Sequence, residues 1–277
     1  HLAGWVGRTE SAQERIGATP VALLSALLDR DDPPPRDGDA LPPLAHWLHF
    51  LPVLRQSELG PDGHARRGGF LPPVPLERRL WAGSRLEFLR RLRIGETARR
   101  DSTIKAVTVK QGRSGPLVFV TVRHEIAGEA GLAVTDEHDI VYRDAKGAAI
   151  AAPEPAPAGE AWSREVRPDP VLLFRYSALT HNGHRIHYDH PYAAAVEGYP
   201  GLVVHGPLVA TLLLDLLRRN RPGADIASYA FRARRPLLDI HPFTLCGLDD
   251  GDARRARLWT RDAEGALTMD ATATWRP

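Results

Sequence analysis

One long apolar run, Gly201 to Leu217, GLVVHGPLVATLLLDLL, limits the folds open to this chain. His205 and Asp215 interrupt it, so it falls short of the roughly 20 consecutive apolar residues that a membrane span needs. Gly206 and Pro207 suit the start of a helix, and Arg218 and Arg219 suit its C-terminal end, where cations complement the macrodipole. The spacing predicts a helix at about 205–219. Leu212, Leu213, Leu216 and Leu217 supply most of the apolar face, and apolar residues occupy nearly every position. Such a helix has to be covered on most sides.

The neighbouring segments can supply that cover, because they read as antiparallel strands. Ser228–Arg234, Phe243–Leu248, Arg254–Arg261 and Thr268–Trp275 follow the helix. An earlier set covers Ser84–Leu92, Ser102–Lys110, Pro116–His124 and Leu132–Tyr142. There Val107, Val109, Val118, Val120 and Val122 give the alternation and β-branching of a half-buried sheet. A further strand is expected at Val171–Ser177. Thr19 and Pro20 ahead of VALLSALLD predict a capped helix, with Thr19 at the N-cap. The stretch from Asp144 to Glu160 is rich in Ala, Pro and Gly without helical or strand period, which predicts a linker. It sets residues 1–143 apart from 165–277, with 144–164 between them. The Pro-rich stretch Asp31–Pro43 reads as a surface loop. The expected class is α+β: a tandem hotdog, each half a curved antiparallel sheet wrapped around a central helix.

Composition narrows the function classes. The 277 residues carry 36 Lys and Arg against 34 Asp and Glu, spread from end to end, which argues against a nucleic-acid-binding arm. Lysine occurs only at Lys105, Lys110 and Lys146. Arginine forks suit phosphates and carboxylates, as in a coenzyme A ester, although a GC-rich gene gives the same bias without any ligand. Cys246 is the single cysteine, so no internal disulfide forms and a reducing cytoplasm is the expected home. The first residues lack the basic-then-apolar pattern of a signal peptide.

Chemistry concentrates in Phe174–Tyr192, FRYSALTHNGHRIHYDHPY, followed by His205-Gly206-Pro207. His181, His184, His187 and His190 recur every three residues, with Asp189 among them. Gly183 and Pro191 argue for a turn-rich loop, a common mount for catalytic groups. Three readings stand on the residues alone. The histidines could hold a metal, although the spacing fits neither a helical nor a strand ligand pair. Some, such as His181 and His190, could simply face solvent or cap a helix. One of them could be an acid–base group beside a polar partner.

The text ALTHNGHRIHYDHPYA…GLVVHGPL resembles the MaoC-type, R-specific enoyl-CoA hydratases and their double-hotdog relatives. Their signature loop reads Ser-Gly-Asp-x-Asn-Pro-Leu-His, and a later Val-His-Gly opens the central helix. Thr180 and His181 stand at the Ser-Gly positions, Asn182 where the catalytic Asp is expected, and His187 at the catalytic His. The match covers about the last 110 residues well and the first half loosely. Asn182 departs from the pattern, since an amide cannot take a proton. The variant NxHRIHYD, the opening WVGRTE and the chain length resemble one sub-branch of that family. It holds type 2 hydroxyacyl-thioester dehydratases and hydratases of C5 dicarboxylic acyl-CoAs, mesaconyl-C4-CoA (3-methylfumaryl-CoA) or itaconyl-CoA.

The resemblance implies a hydro-lyase with His187 as general base and Asn182 holding the water. Gly206, with His205, would face the thioester carbonyl, and Arg185, Arg234 and Tyr188 would touch the acyl group or the coenzyme. It implies an acyl-CoA substrate, no metal, no cofactor beyond the substrate's own coenzyme A, no nucleic-acid or membrane partner, and a homo-oligomer. The alternatives are a 3-hydroxyacyl-thioester dehydratase of fatty-acid synthesis, a hotdog thioesterase, and a non-catalytic acyl-CoA-binding module.

Overall fold

The computed structural model of the protein describes residues 2–112, 115–144, 153–250 and 253–277. Its backbone packs into two units. The first comprises His1–Ala82, Leu86–Ala149 and Ala178–Gly183, and the second Gly83–Arg85, Ile150–Ser177 and His184–Pro277.

In the first unit the elements are β1 (Thr9–Arg15), α1 (Ala18–Leu27), β2 (Arg78–Phe88), β3 (Thr97–Gly112), β4 (Gly115–Gly128) and β5 (Gly131–Arg143). The strands lie in the order β1-β3-β4-β5-β2. The β3–β4 register sets Val107 opposite Val120 and Val109 opposite Val118. Val118, Val120 and Val122 are buried in a cluster with Ile104, Val74, Leu76 and Tyr142, so the valine alternation identifies the core face. Helix α1 starts two residues earlier than expected. Gly17 is its N-cap, without a side-chain cap, and Thr19 and Pro20 lie inside its first turn. Pro20 tolerates that place because its missing N–H has no helical partner there.

The second unit holds β6 (Trp162–Val166), α2 (Pro170–Leu179), α3 (His190–Ala195), α4 (Gly206–Asn220), β7 (Ile226–Ala233), β8 (Phe243–Asp249), β9 (Arg255–Arg261) and β10 (Leu267–Trp275). Its strands run in the order β7-β10-β9-β8-β6. Helix α4 packs on β6, β8, β9 and β10 and buries every residue from Leu208 to Leu217. A fully buried leucine contributes roughly 1.5–3 kcal/mol, so this helix anchors the unit. The polar intruder Asp215 is 1% exposed and is neutralised by Arg164 of β6 at 3.2 Å and Arg219 one turn later at 2.6 Å.

Two expectations change. The segment expected as a strand at Val171–Ser177 is helical, within α2. The Asp169 carboxylate accepts the Leu172 N–H at 2.7 Å, and Pro170 opens the helix. Apolar residues on successive positions, VLLF, satisfy a buried helix and a buried strand alike, and the Asp-Pro start signal decides. In the stretch expected as a linker, residues 145–152 lie outside the described residues, and the remainder is docked. Glu154 accepts from the Leu267 N–H, Ala156 donates to Gly265, and Ala161 donates to Gly247, at 2.7–3.0 Å. Ala156 also packs against the cluster of Cys246, Trp259 and Leu267.

Candidate active site

The site is built on one extended segment leading into α4. Leu202 donates to the Asp239 carboxylate at 2.8 Å and accepts the Asp239 N–H at 2.9 Å. Val203 donates to Ile186, and Val204 to Leu237, each at 2.9 Å. Gly201 allows the approach, because a Cβ there would lie 2.6 Å from Asp239 Oδ1. His205 is the N-cap of α4 with extended backbone, and no side chain caps the helix. The first intrahelical bond runs from Val209 N–H to His205 at 3.0 Å, so the Gly206 and Leu208 N–H groups stand at the positive end of the helix ahead of it. Pro207 lacks an N–H.

His187 is buried at the end of a 3-10 turn, Arg185–His187. Its Nδ1 lies 2.7 Å from the Val203 carbonyl oxygen. A carbonyl only accepts, so Nδ1 carries the proton and the lone pair of the neutral ring sits on Nε2. That is the tautomer of a ring poised to take a proton at Nε2. The His187 ring stacks on His205, with centroids 3.7 Å apart and planes at 18°, and meets His184 edge-on at 5.4 Å. His205 is fully buried, and its Nε2 lies 2.8 Å from Ser177 Oγ on α2. Burial first, then the nearby His184, pushes the His205 imidazole down to about 3, so it is neutral at physiological pH.

The remaining candidates divide. His184 is buried near Glu197, at 3.9 Å, whereas His181 and His190 are exposed. Arg185 pairs with Asp189 at 2.7 Å and lies over the Tyr192 ring at 4.1 Å. The hydrogen bond from Arg185, and then that from Tyr192 N–H, hold the Asp189 carboxyl below its usual range. Arg234 pairs with Asp270 at 2.6 Å, and Tyr188 is exposed. Asn182 lies in Ala178–Gly183, which packs with the first unit. A Cβ at Gly183 would come within 2.9 Å of the Gly63 carbonyl, so the Asn182 turn is seated on the Asp62–His64 turn. In that turn Asp62 accepts from His64 N–H and faces His64 Nδ1, both at 3.1 Å. Gly183→Ala is expected to displace Asn182, costing about 1–3 kcal/mol from the forced shift. Urea denaturation together with turnover checks this, and a variant equal to wild type in both would mean that the seat is slack.

Sequence reasoning missed a buried polar network in the first unit. Asp136 on β5 is 1% exposed, and its Oδ2 lies 2.8 Å from Trp47 Nε1, 2.8 Å from His138 Nε2 and 3.4 Å from His46 Nε2. Beside it, His124 Nδ1 lies 2.8 Å from Ser102 Oγ. Burial would raise the Asp136 pKa, but the charge and hydrogen bond of His138 and the hydrogen bond of His46 outweigh it and hold the carboxyl well below its ordinary range. Cross-strand register carried the signal, since Ser102 faces His124 and His124 faces Asp136 across β3, β4 and β5.

Comparison with known proteins assigns the ancestry. Residues 44–239, more than half of the chain, match the family described as hydroxyacyl-thioester dehydratase type 2. The chain belongs to this family. Over 271 residues it is 48% identical to the mesaconyl-C(4)-CoA hydratase of Chloroflexus aurantiacus, which covers 97% of this chain and 95% of that protein. A solved MaoC-like dehydratase from Phytophthora capsici superposes with a TM-score of 0.75 at 14% identity, over 98% of this chain and 95% of the other. A double-hotdog protein from Mycobacterium tuberculosis does so with 0.57 at 13% identity, over 98% and 96%. At such identities the solved structures speak for the fold alone. This family member is a tandem hotdog, as the strand pattern predicts.

Proposed function

We propose that this chain is a hydro-lyase that reversibly hydrates the C=C bond of an enoyl-CoA, acting on a C5 dicarboxylic acyl-CoA. Mesaconyl-C4-CoA or itaconyl-CoA, each giving citramalyl-CoA, is the substrate of choice, because the hydratase it resembles at 48% identity carries the first of these in its name. The observation that carries the reaction is His187, buried, with Nδ1 tied to the Val203 carbonyl and its lone pair on Nε2. Nε2 takes a proton from water while the water oxygen bonds to the β-carbon. In mesaconyl-C4-CoA, whose C=C bond is conjugated with the thioester, the electrons of that bond move through the α-carbon onto the thioester oxygen, and the Gly206 N–H at the start of α4 stabilises that enolate. The His187 imidazolium then returns the proton to the α-carbon. Asn182 holds the water through its amide, and Arg185, Arg234 and Tyr188 contact the distal carboxylate or the coenzyme. For the two arginines this requires their carboxylate partners, Asp189 and Asp270, to be shared.

Such a reaction needs no cofactor and no metal, since coenzyme A arrives with the substrate. Among the described residues no helix is long and apolar enough to cross a membrane. We assign the enzyme to the cytoplasm, as a dimer or higher homo-oligomer. A thioesterase would need an acidic residue or Gln near the start of α4; that helix holds no Gln, and its first carboxylate, Asp215, is committed to Arg164 and Arg219. Dehydration of longer 3-hydroxyacyl thioesters is the runner-up, since it names the family. Turnover of purified protein with C5 dicarboxylic and straight-chain enoyl-CoAs separates the two. The expected result is at least about tenfold higher kcat/KM for the dicarboxylic ester, a difference of about 1.4 kcal/mol. A preference for straight chains would move the enzyme to fatty-acid chemistry.

A further inference from the structure

We infer that Ser177 and His205 form a positioning pair for His187, presenting a neutral aromatic face on which the protonated base is stabilised. The inference rests on the reading of His187 as the general base. Its observations all lie in the second unit. One extended segment holds the base twice, through the Val203 carbonyl on Nδ1 and, two residues later, through the stacked His205 ring at 3.7 Å. The backbone bonds of Val203 to Ile186 and Val204 to Leu237 fix that segment. Ser177 holds the far edge of the His205 ring at 2.8 Å, and Tyr176 packs edge-on against it at 5.0 Å.

The arrangement has a chemical consequence. When His187 takes a proton, a cation is created in a largely dry environment, where a stacked neutral ring attracts it. A charged ring in the same place would repel it. His205 is suited to stay neutral: it is fully buried, sits at the N-cap position of α4, where the positive end of the helix disfavours a cation, and keeps Nδ1 buried without a hydrogen-bond partner. The titratable groups facing the pair are His184 on the loop of the base, Glu197 behind His184 at 3.9 Å, and Tyr176 on α2. Of these only His184 can become cationic beside the stack, and Glu197 lies 3.9 Å from it. Neither residue of the pair needs to touch substrate, so both act through His187.

The test compares His205→Leu, which fills the space without a π face, with His205→Phe, which keeps the face and loses only the bond to Ser177. Loss of the face should lower kcat about 10- to 100-fold with KM nearly unchanged, because the base is misplaced and its protonated form weakened. The His187 ring, followed by its proton NMR titration without substrate, should protonate about half a unit to one unit lower in the Leu variant. The Phe variant should recover part of both, because the face is kept while the Ser177 bond that orients it is lost. Equal titration of His187 in wild type and His205→Leu, with Phe no better than Leu, overturns the inference. Should His205→Leu fail to fold, Ser177→Ala decides: a lowered kcat at constant KM supports the pair, and wild-type kcat refutes it. Absence of any hydration by the wild type would refute the proposed reaction, whereas the NMR titration tests the pair without relying on turnover.

Discussion

His187→Ala is expected to lower kcat by about 10² to 10⁴-fold, the usual contribution of a positioned acid–base group. kcat and kcat/KM should fall together, because in the proposed reaction the proton is taken only on the way to the transition state. The chain should still fold. His187 belongs to a loop and its turn, and the core of its unit is the buried face of α4 with the sheet of β6 to β10. In wild type the rate should fall on the acid side, since only the neutral ring accepts a proton at Nε2. Turnover with saturating enoyl-CoA, beside a thermal melt of each protein, checks this. A variant with near wild-type kcat would remove His187 from the chemistry.

Asp136→Ala should produce the largest change in stability. The substitution removes the shared acceptor of Trp47, His138 and His46 inside the first unit. Breaking a buried charged network by deleting one partner costs about 3–5 kcal/mol. The pH dependence has a definite sign. The folded-state pKa of Asp136 is depressed, so the unfolded chain binds the proton more tightly. The contribution is full above the unfolded value, about 3.9, and is lost as pH falls below it toward the lower folded value. Wild type should lose stability steeply below about pH 4, and Asp136→Ala should be weaker at neutral pH with a shallower acid slope. Denaturant midpoints from pH 7 down to pH 3 measure both. Parallel curves for the two proteins would mean that the carboxylate is not coupled to folding.

The sequence shows the core more clearly than the polar architecture, for physical reasons. The all-round apolar pattern of Leu208–Leu217 has one stable outcome, a helix enclosed by sheet, and the valine alternation of β4 marks the buried face, whereas Val109 of β3 is exposed. Both signals are local. The Val171–Ser177 segment is ambiguous because continuous apolar runs fit either backbone, and only Asp169 as a cap resolves it. His187 and the start of α4 are legible through spacing and resemblance. The His205–Ser177 pair is not, because it joins residues 28 apart whose contact depends on how α2 packs. The Asp136 network is hidden for the same reason: His46 and Asp136 are 90 residues apart, and isolated polar residues in a strand pattern look solvent-facing until register is known. The seat of Gly183 on Gly63 likewise exists only in three dimensions.

Hydration is read from the mass of the acyl-CoA after incubation with enzyme in water enriched in the heavy oxygen isotope. Mesaconyl-C4-CoA or itaconyl-CoA should gain one labelled water on the acyl group with the thioester intact, and His187→Ala should abolish the gain. Release of free coenzyme A thiol with label in the carboxylate, or an unchanged ester with the wild-type enzyme, would rule out hydration by His187.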